Sequence, residues 1–317
     1  MVKQNNRLAI VIPAYKRKYL KETLDSLKNQ TNQAFSLYIG DDNSPEDLWE
    51  VIKEFTNDLQ IEYTKFDSNW GGKDLVSHWN RCLDLIKNED WIWLFSDDDC
   101  MDTNCVEVFY NHINANPNHE LIHFNVKVID HISKEIPHYE QLNNFETFMS
   151  SKDFFKAKIL GNIHSYVVEY VFHKKLLSKY GKFVNFDLAW CSDDATWIKF
   201  AQETGINTVK GAAVSWRLSG INISSKNEPA IVRRKLDAKL SYFIWVRLIL
   251  GKLPLNKLHI IKWFFIELDE DKTLNFATKL RLAFKYSNHL WDIGTAIFAT
   301  TYIVYKNVRI KMALLTK

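Results

Sequence analysis

The chain is poor in the residues that define several large protein classes. Its 317 residues include only 10 glycines, 6 prolines and 4 cysteines, too few for a collagen-like repeat, a Pro/Gly-rich disordered chain or a disulfide scaffold. Cys82, Cys100, Cys105 and Cys191 form no Cys-x-x-Cys pair, and Lys3, Gln4, Asn5, Asn6 and Arg7 interrupt any apolar signal segment after Met1. A reduced chain in the cytoplasm is the expectation. The longest uncharged stretch of the apolar C-terminal part, Ile293 to Tyr305, has 13 residues, whereas a helix needs roughly 20 to span a bilayer. Internal repeats and low-complexity segments are absent as well.

What remains is globular: 46% of residues are hydrophobic, 14% aromatic and 25% charged, enough for one large or two smaller domains. The net charge of +3 conceals an asymmetry. From Ile231 to Lys317, 16 Lys and Arg stand against 6 Asp and Glu, a net of +10, which leaves the first 230 residues at −7. A basic tail of this kind faces a polyanion, either nucleic acid or an anionic leaflet, or forms a solvated helical face.

Strand and helix alternate through the first hundred residues. Leu8 to Ile12 is a short β-branched run halted by Pro13, Phe35 to Gly40 is a second, Ile61 to Phe66 a third and Trp91 to Phe95 a fourth. Helical spacing fills the intervals at Lys16–Asn29, Glu46–Phe55 and Asp74–Ile86. Such a series predicts an α/β fold with a mostly parallel sheet, right-handed crossovers and covering helices. Ligands of these sheets bind beyond the carboxyl ends of the strands. Asp41-Asp42 ends the second strand, and Asp97-Asp98-Asp99 ends the fourth.

Three consecutive carboxylates repel one another unless paired, and a divalent cation resolves the repulsion. Oxygen ligands with a free edge suit Mg²⁺ or Mn²⁺ and leave positions for phosphate oxygens, whereas His and Cys would suit zinc. Helix capping is the competing role for the same aspartates.

Val11-Ile12-Pro13-Ala14-Tyr15-Lys16-Arg17, Leu24-Asp25-Ser26-Leu27 with Gln30-Thr31, Gly40-Asp41-Asp42-Asn43-Ser44 and Phe95-Ser96-Asp97-Asp98-Asp99 resemble, in order, the signatures of family 2 glycosyltransferases. The resemblance runs over roughly residues 7 to 220 and implies the GT-A fold, a Rossmann-like sheet, with an inverting transfer from a nucleotide-sugar donor. It places Pro13, Ala14, Tyr15 and Arg17 around the nucleotide and gives Asp42 the imide of uracil, hence a UDP-sugar. Asp98 would hold Mn²⁺ or Mg²⁺ on the diphosphate, with Asp99 beside it and Asp97 turned to the ribose or a metal-bound water. Serine at position 96 departs from the family's Asp-x-Asp pattern. Ser192-Asp193-Asp194-Ala195 matches the family's acidic pair, so Asp194 is the expected general base and Asp193 its alternative. A single base opposite the leaving group would turn an α-linked donor into a β-linked product.

Ser215 to Ser224 resembles a loop that closes over the diphosphate, and Arg217 in it suits a phosphate clamp. Asn69, Gly72 and Asn80 loosely match a further family segment. A sugar nucleotidyltransferase or a dinucleotide-dependent oxidoreductase would need a Gly-rich loop after the first strand, and Pro13 to Arg17 has no glycine. A non-catalytic nucleotide-sugar-binding or scaffolding relative would have no chemical need for Asp42, Asp98 and Asp194 together.

The expected division is a GT-A catalytic domain over residues 1–228 and a basic, aromatic-rich helical region over 229–317. Trp245, Trp263, Phe264, Phe265, Trp291, Phe298, Tyr302 and Tyr305 among the tail's cations suit helices lying in a membrane interface. The same aromatics suit packing within a domain, and no nucleic-acid-binding motif accompanies them. The resulting expectation is a transferase of envelope polysaccharide assembly, bacterial capsule or O-antigen. Its acceptor would be a glycan or lipid-linked saccharide, and its place the cytoplasm or the inner face of the membrane.

Overall fold

The computed structural model describes residues 7–137, 144–220, 226, 228–253, 255–265, 268, 274–290 and 293–315. Two compact units divide the chain, residues 1–222 and 223–317.

The first unit is built on a sheet seeded by the four apolar runs. Strands β1 (Leu8–Ala14), β2 (Phe35–Asp41), β3 (Ile61–Lys65) and β4 (Trp91–Leu94) lie parallel in the order β3-β2-β1-β4. β1 and β2 are buried on both faces, which is why they read as continuous apolar runs and not as alternation. Helices α1 (Leu20–Lys28), α2 (Trp49–Ile52) and α3 (Leu75–Leu83) make the crossovers. Asp74 caps α3 by accepting a hydrogen bond from the Ser77 N–H at 2.9 Å.

Five further strands extend the sheet: β5 (Cys100–Met101), β6 (Leu121–Ile129), β7 (Phe148–Met149), β8 (Tyr170–His173) and β9 (Ile206–Arg217). They continue it as β4-β8-β6-β9-β5, with β7 also on β9. β8 runs against both β4 and β6, while β6 and β9 are parallel. A 3₁₀ turn, Val167–Glu169, leads directly into β8. Helices α4 (Cys105–Ala115), α5 (Ser151–Leu160), α6 (Lys175–Tyr180) and α7 (Ser192–Thr204) complete the unit.

Close packing at one glycine ties β2 to α3. A Cβ on Gly40 would collide with Cys82 Sγ and come within 3.0 Å of the Phe66 ring. Gly40→Ala is expected to lower the stability of the chain by about 1–3 kcal/mol, the usual range for overpacking. Urea unfolding of the variant beside the wild type measures this.

The second unit is helical: α8 (Pro229–Leu250), α9 (Lys257–Phe264), α10 (Phe276–Leu290) and α11 (Ile293–Leu315). Pro229 opens α8 at a position where its missing N–H costs nothing, and Gly251 ends it with φ 66°. The tail's aromatics divide. Phe264, Phe265, Tyr242, Phe243 and Tyr286 are buried, whereas Phe298 and Tyr305 are exposed. Two lysines of the basic tail are buried as well, with their ammonium groups donating to backbone carbonyls: Lys235 to Lys226 and Lys239 to Trp263, both at 2.8 Å. Trp291 lies outside the described residues.

Candidate active site

β1 has β2 on one side and β4 on the other, so the crossovers diverge between β1 and β4 and a crevice opens at their carboxyl ends. The residues that follow β1, β2 and β4 meet there. Asp97 Oδ2 accepts the backbone N–H groups of Tyr15 and Lys16, both at 2.7 Å. Asp98 receives the Lys16 ammonium on Oδ2 and the Ser96 hydroxyl, at 2.5 Å, on Oδ1. Asp99 Oδ1 accepts the backbone N–H of Arg217 at 2.7 Å.

The three carboxylates are thus separated by partners from the chain itself. This corrects the expectation that a bound ion is needed to relieve their repulsion. It also moves Asp99 away from the expected pair of metal ligands: it is 2% exposed and faces β9. Burial raises its carboxyl well above the ordinary range, and the Asp98 charge adds to that. Asp97 is raised too, by burial, with Lys16 opposing. Burial disfavours the Lys16 ammonium, but Asp97 and Asp98 outweigh it and its pKa is raised.

The resemblance implies a divalent cation at this edge, and the chain itself tests the fit. The Lys16 ammonium stands in for a cation, touching Asp98 and lying 3.5 Å from Asp97 Oδ1. Among the described residues no group of three or more His, Cys, Asp or Glu side chains converges as a metal cage. Asp98 and Asp97 put carboxylate oxygens beside the Lys16 ammonium, and one or two carboxylates completed by ligand phosphates are the usual manner of holding Mg²⁺.

Arg217 departs from the expected phosphate clamp. Its side chain is fully buried, with Nε donating to the Asp98 carbonyl at 2.7 Å, Nη1 to the Asp130 carbonyl and Ser133, and Nη2 to Glu22 at 2.7 Å. Its planar fork fixes the backbone behind Asp98 and Asp99 instead of facing the crevice. Of the loop expected over the diphosphate, residues 221–225 lie outside the described residues.

Asp42 joins the same edge through its N–H, which donates to the Ala14 carbonyl at 2.9 Å. Its carboxylate organises the neighbouring loop. Oδ1 accepts the Trp70 N–H at 2.8 Å and the Arg81 guanidinium, and Oδ2 accepts the Gly71 N–H at 2.7 Å. A side chain on Gly71 would have its Cβ 2.7 Å from that Oδ2, so only glycine lets the backbone approach. Arg81 also lies 3.9 Å over the Phe66 ring and 4.5 Å over Trp70. Burial lowers the pKa of neighbouring His78 to about 4 against the pull of Asp42, so it is neutral at pH 7. Asn69 closes the Asn69–Gly72 turn, while Asn80 Oδ1 accepts the Phe183 N–H at 3.1 Å. Tyr15, Arg17 and Trp70 are exposed around this edge, and Pro13 and Ala14 form its floor.

Asp193 and Asp194 open α7 after an unusual stretch. Leu188, Ala189 and Cys191 have φ of 60°, 54° and 64°, left-handed values that cost non-glycine residues roughly 1–3 kcal/mol each. Lys158 of α5 pairs with Asp194 Oδ2 at 3.2 Å. Asp194 is 6% exposed, and its Oδ1 has no hydrogen-bond partner among the described residues. Burial pushes Asp193 up to about 7, the Asp194 charge adds to it and Lys158 opposes. Beneath the pair lies fully buried Glu169, 3.4 Å from His123. Burial raises the pKa of Glu169 well above its ordinary value and lowers that of His123 to about 3.

No described hydrogen bond or ion pair joins the Asp193–Asp194 group to Asp97–Asp99, but the sheet brings them to one edge. β8 runs against β4, with Trp91 opposite His173 and Trp93 opposite Val171, so its start lies where β4 ends. Glu169, which feels the charges of Asp193 and Asp194, is the residue just before that start.

The sequence model described as glycosyl transferase family 2 matches residues 9–177, more than half of the chain. The chain belongs to that family. No curated protein sequence matches this glycosyltransferase significantly. Among solved structures, Staphylococcus aureus TarS residues 1–349 in complex with UDP-GlcNAc is similar at TM-score 0.65 and 14% identity, with 90% of this chain and 82% of that one covered. A mannosyltransferase from Pyrobaculum calidifontis in complex with GDP-Man and Mn²⁺ is similar at TM-score 0.50 and 14% identity, covering 95% and 87%. At these identities the likeness establishes the GT-A fold, and a helical C-terminal region follows it in sequence.

Two participants escaped the sequence reading of this glycosyltransferase. Lys16 and Lys158 each place an ammonium on a candidate aspartate, yet either reads in sequence as an ordinary surface lysine. The one available signal for Lys16 was its place directly after Pro13-Ala14-Tyr15.

Proposed function

We propose that this glycosyltransferase inverts the anomeric carbon of a nucleotide-diphosphate sugar, a UDP-sugar, as it moves the sugar to a hydroxyl of a glycan or lipid-linked acceptor. The observation that carries the reading is the meeting of Tyr15, Lys16, Asp97 and Asp98 at the divergence of β1 and β4, where a cation is already seated. In this reading the donor lies along Pro13, Ala14, Tyr15 and Arg17. Asp42 Oδ2, which takes one described hydrogen bond, keeps acceptor capacity for the imide of uracil. Asp98 with Asp97 would hold Mn²⁺ or Mg²⁺, which when bound neutralises charge on the leaving diphosphate. Asp194 takes the proton of the acceptor hydroxyl through its unpartnered Oδ1, while Lys158 holds Oδ2. Strained backbone before α7 supports this assignment, since such strain concentrates at functional sites.

Calorimetric titration of the full chain with UDP, GDP and their sugar conjugates in the presence of Mn²⁺ tests the donor. Binding of UDP and at least one UDP-sugar is expected. Failure of every nucleotide to bind would remove the reading.

We further assign residues 229–317 a peripheral membrane contact, suited to a lipid-linked acceptor of envelope glycan assembly. Among the described residues no helix is long and apolar enough to cross a membrane. Ile293, Ile297 and Val304 fall on one exposed stripe of α11, with Phe298 and Tyr305 beside it, in a region of net charge +10. Co-sedimentation with anionic vesicles at low salt is expected, with weaker recovery on neutral vesicles or at high salt. Absence of binding to both vesicle types would refute the contact.

A further inference from the structure

Lys16 is held at both ends by the acidic strand terminus. Its backbone N–H donates to Asp97 Oδ2 at 2.7 Å, and its ammonium returns to Asp98 Oδ2 and to within 3.5 Å of Asp97 Oδ1. The side chain remains 30% exposed, so its tip is not locked into the core. An ammonium already seated on these two carboxylates repels an incoming divalent ion and so weakens its binding there. The lysine stem is long and flexible, and it starts at the end of β1, beside the crevice.

We propose that Lys16 is a tethered cation which occupies the metal position of the free protein and transfers to the donor diphosphate when ion and nucleotide arrive together. The inference rests on the diphosphate reading of the crevice and goes beyond it by assigning an order. Without nucleotide, Lys16 competes with the ion and keeps its affinity low. With nucleotide, the diphosphate offers the ammonium a second anionic partner, and the carboxylates become free for the ion. Metal and donor binding are therefore coupled through one side chain, and the coupling is reciprocal.

Mn²⁺ titration of the full chain, followed by the electron paramagnetic resonance of the free ion, reads this without any turnover. Lys16→Met keeps the length of the stem and removes the charge, Lys16→Gln provides a polar second variant, and Lys16→Arg keeps the charge. In the absence of nucleotide, Lys16→Met and Lys16→Gln are expected to bind Mn²⁺ at least about tenfold more tightly than the wild type. Lys16→Arg is expected to stay with the wild type. Adding UDP is expected to tighten Mn²⁺ on the wild type more than on the neutral variants. Equal Mn²⁺ affinity of wild type, Lys16→Met and Lys16→Gln without UDP would overturn the inference. If UDP changes nothing in any of the four proteins, the donor reading is overturned, and the comparison without UDP still decides whether Lys16 competes with the ion. Thermal unfolding of each variant identifies any that fails to fold.

Discussion

Asp194→Asn is expected to slow sugar transfer by about 10²- to 10⁴-fold, the usual contribution of a general base, with nucleotide affinity unchanged. The amide keeps the shape of the side chain and its contact with α5 but cannot take a proton. Lys158 pairs with Asp194 Oδ2 at 3.2 Å and leaves the buried Oδ1 without a hydrogen-bond partner among the described residues. The charged and titratable groups around it are Asp193, Lys158, Glu169, His164, Tyr170 and Cys191. Asp193 gives the site a pH signature. Its pKa is raised to about 7, first by burial and then by the Asp194 charge, so its proton leaves as pH rises through that value. A second negative charge then stands beside Asp194 and strengthens it as a base. Turnover is expected to climb through about pH 7 in the wild type and to lose that step in Asp193→Asn. A pH profile of donor turnover for the three proteins measures both effects. Full activity of Asp194→Asn would remove this residue from the base role.

The second large effect is on stability. Asp42→Ala is expected to destabilise the chain by about 3–5 kcal/mol, the range for breaking a buried ion pair on one side. The Arg81 guanidinium loses its carboxylate while its side chain is only 13% exposed, and the Trp70 and Gly71 N–H groups lose their acceptors. Replacing Arg81 by Met in the same chain is expected to recover part of the loss, since an uncompensated charge is then no longer buried. Urea unfolding of the single and double variants gives the coupling directly. A loss below about 1 kcal/mol for Asp42→Ala would mean that the Asn69–Gly72 loop does not depend on this carboxylate.

Three of the four parallel strands were legible in sequence because they are buried on both faces. Leu8–Ala14, Phe35–Asp41 and Trp91–Leu94 carry their own apolar signal, and the acidic residues after them fall at the carboxyl edge by the direction of the chain. Two-residue strands such as Cys100–Met101 and Phe148–Met149 have no periodicity to read and exist only because β9 supplies their partner. α1 begins at Leu20 and not at Lys16, since the Tyr15 and Lys16 N–H groups are bound to Asp97, 82 and 81 residues away. The same distance in sequence hides the partners of the site. Asp99 reads as a metal ligand until β9 brings the Arg217 N–H to it across 118 residues, and Arg217 reads as a phosphate clamp until Glu22, Asp130 and Asp98 enclose it. Residue types located the acidic edge, but tertiary contacts distribute the roles among its members.

The central claim is that the crevice between β1 and β4 delivers a nucleotide-activated sugar to a base at Asp194. Its most direct test is to incubate the purified chain with UDP-sugars and Mn²⁺, follow UDP release, and determine the anomeric configuration of the liberated or transferred sugar by proton NMR. The account predicts UDP release from at least one α-linked donor, a β-configured product, and loss of both signals in Asp194→Asn. A donor that binds tightly but is neither transferred nor hydrolysed by the wild type, or a product that retains the α configuration, would contradict it.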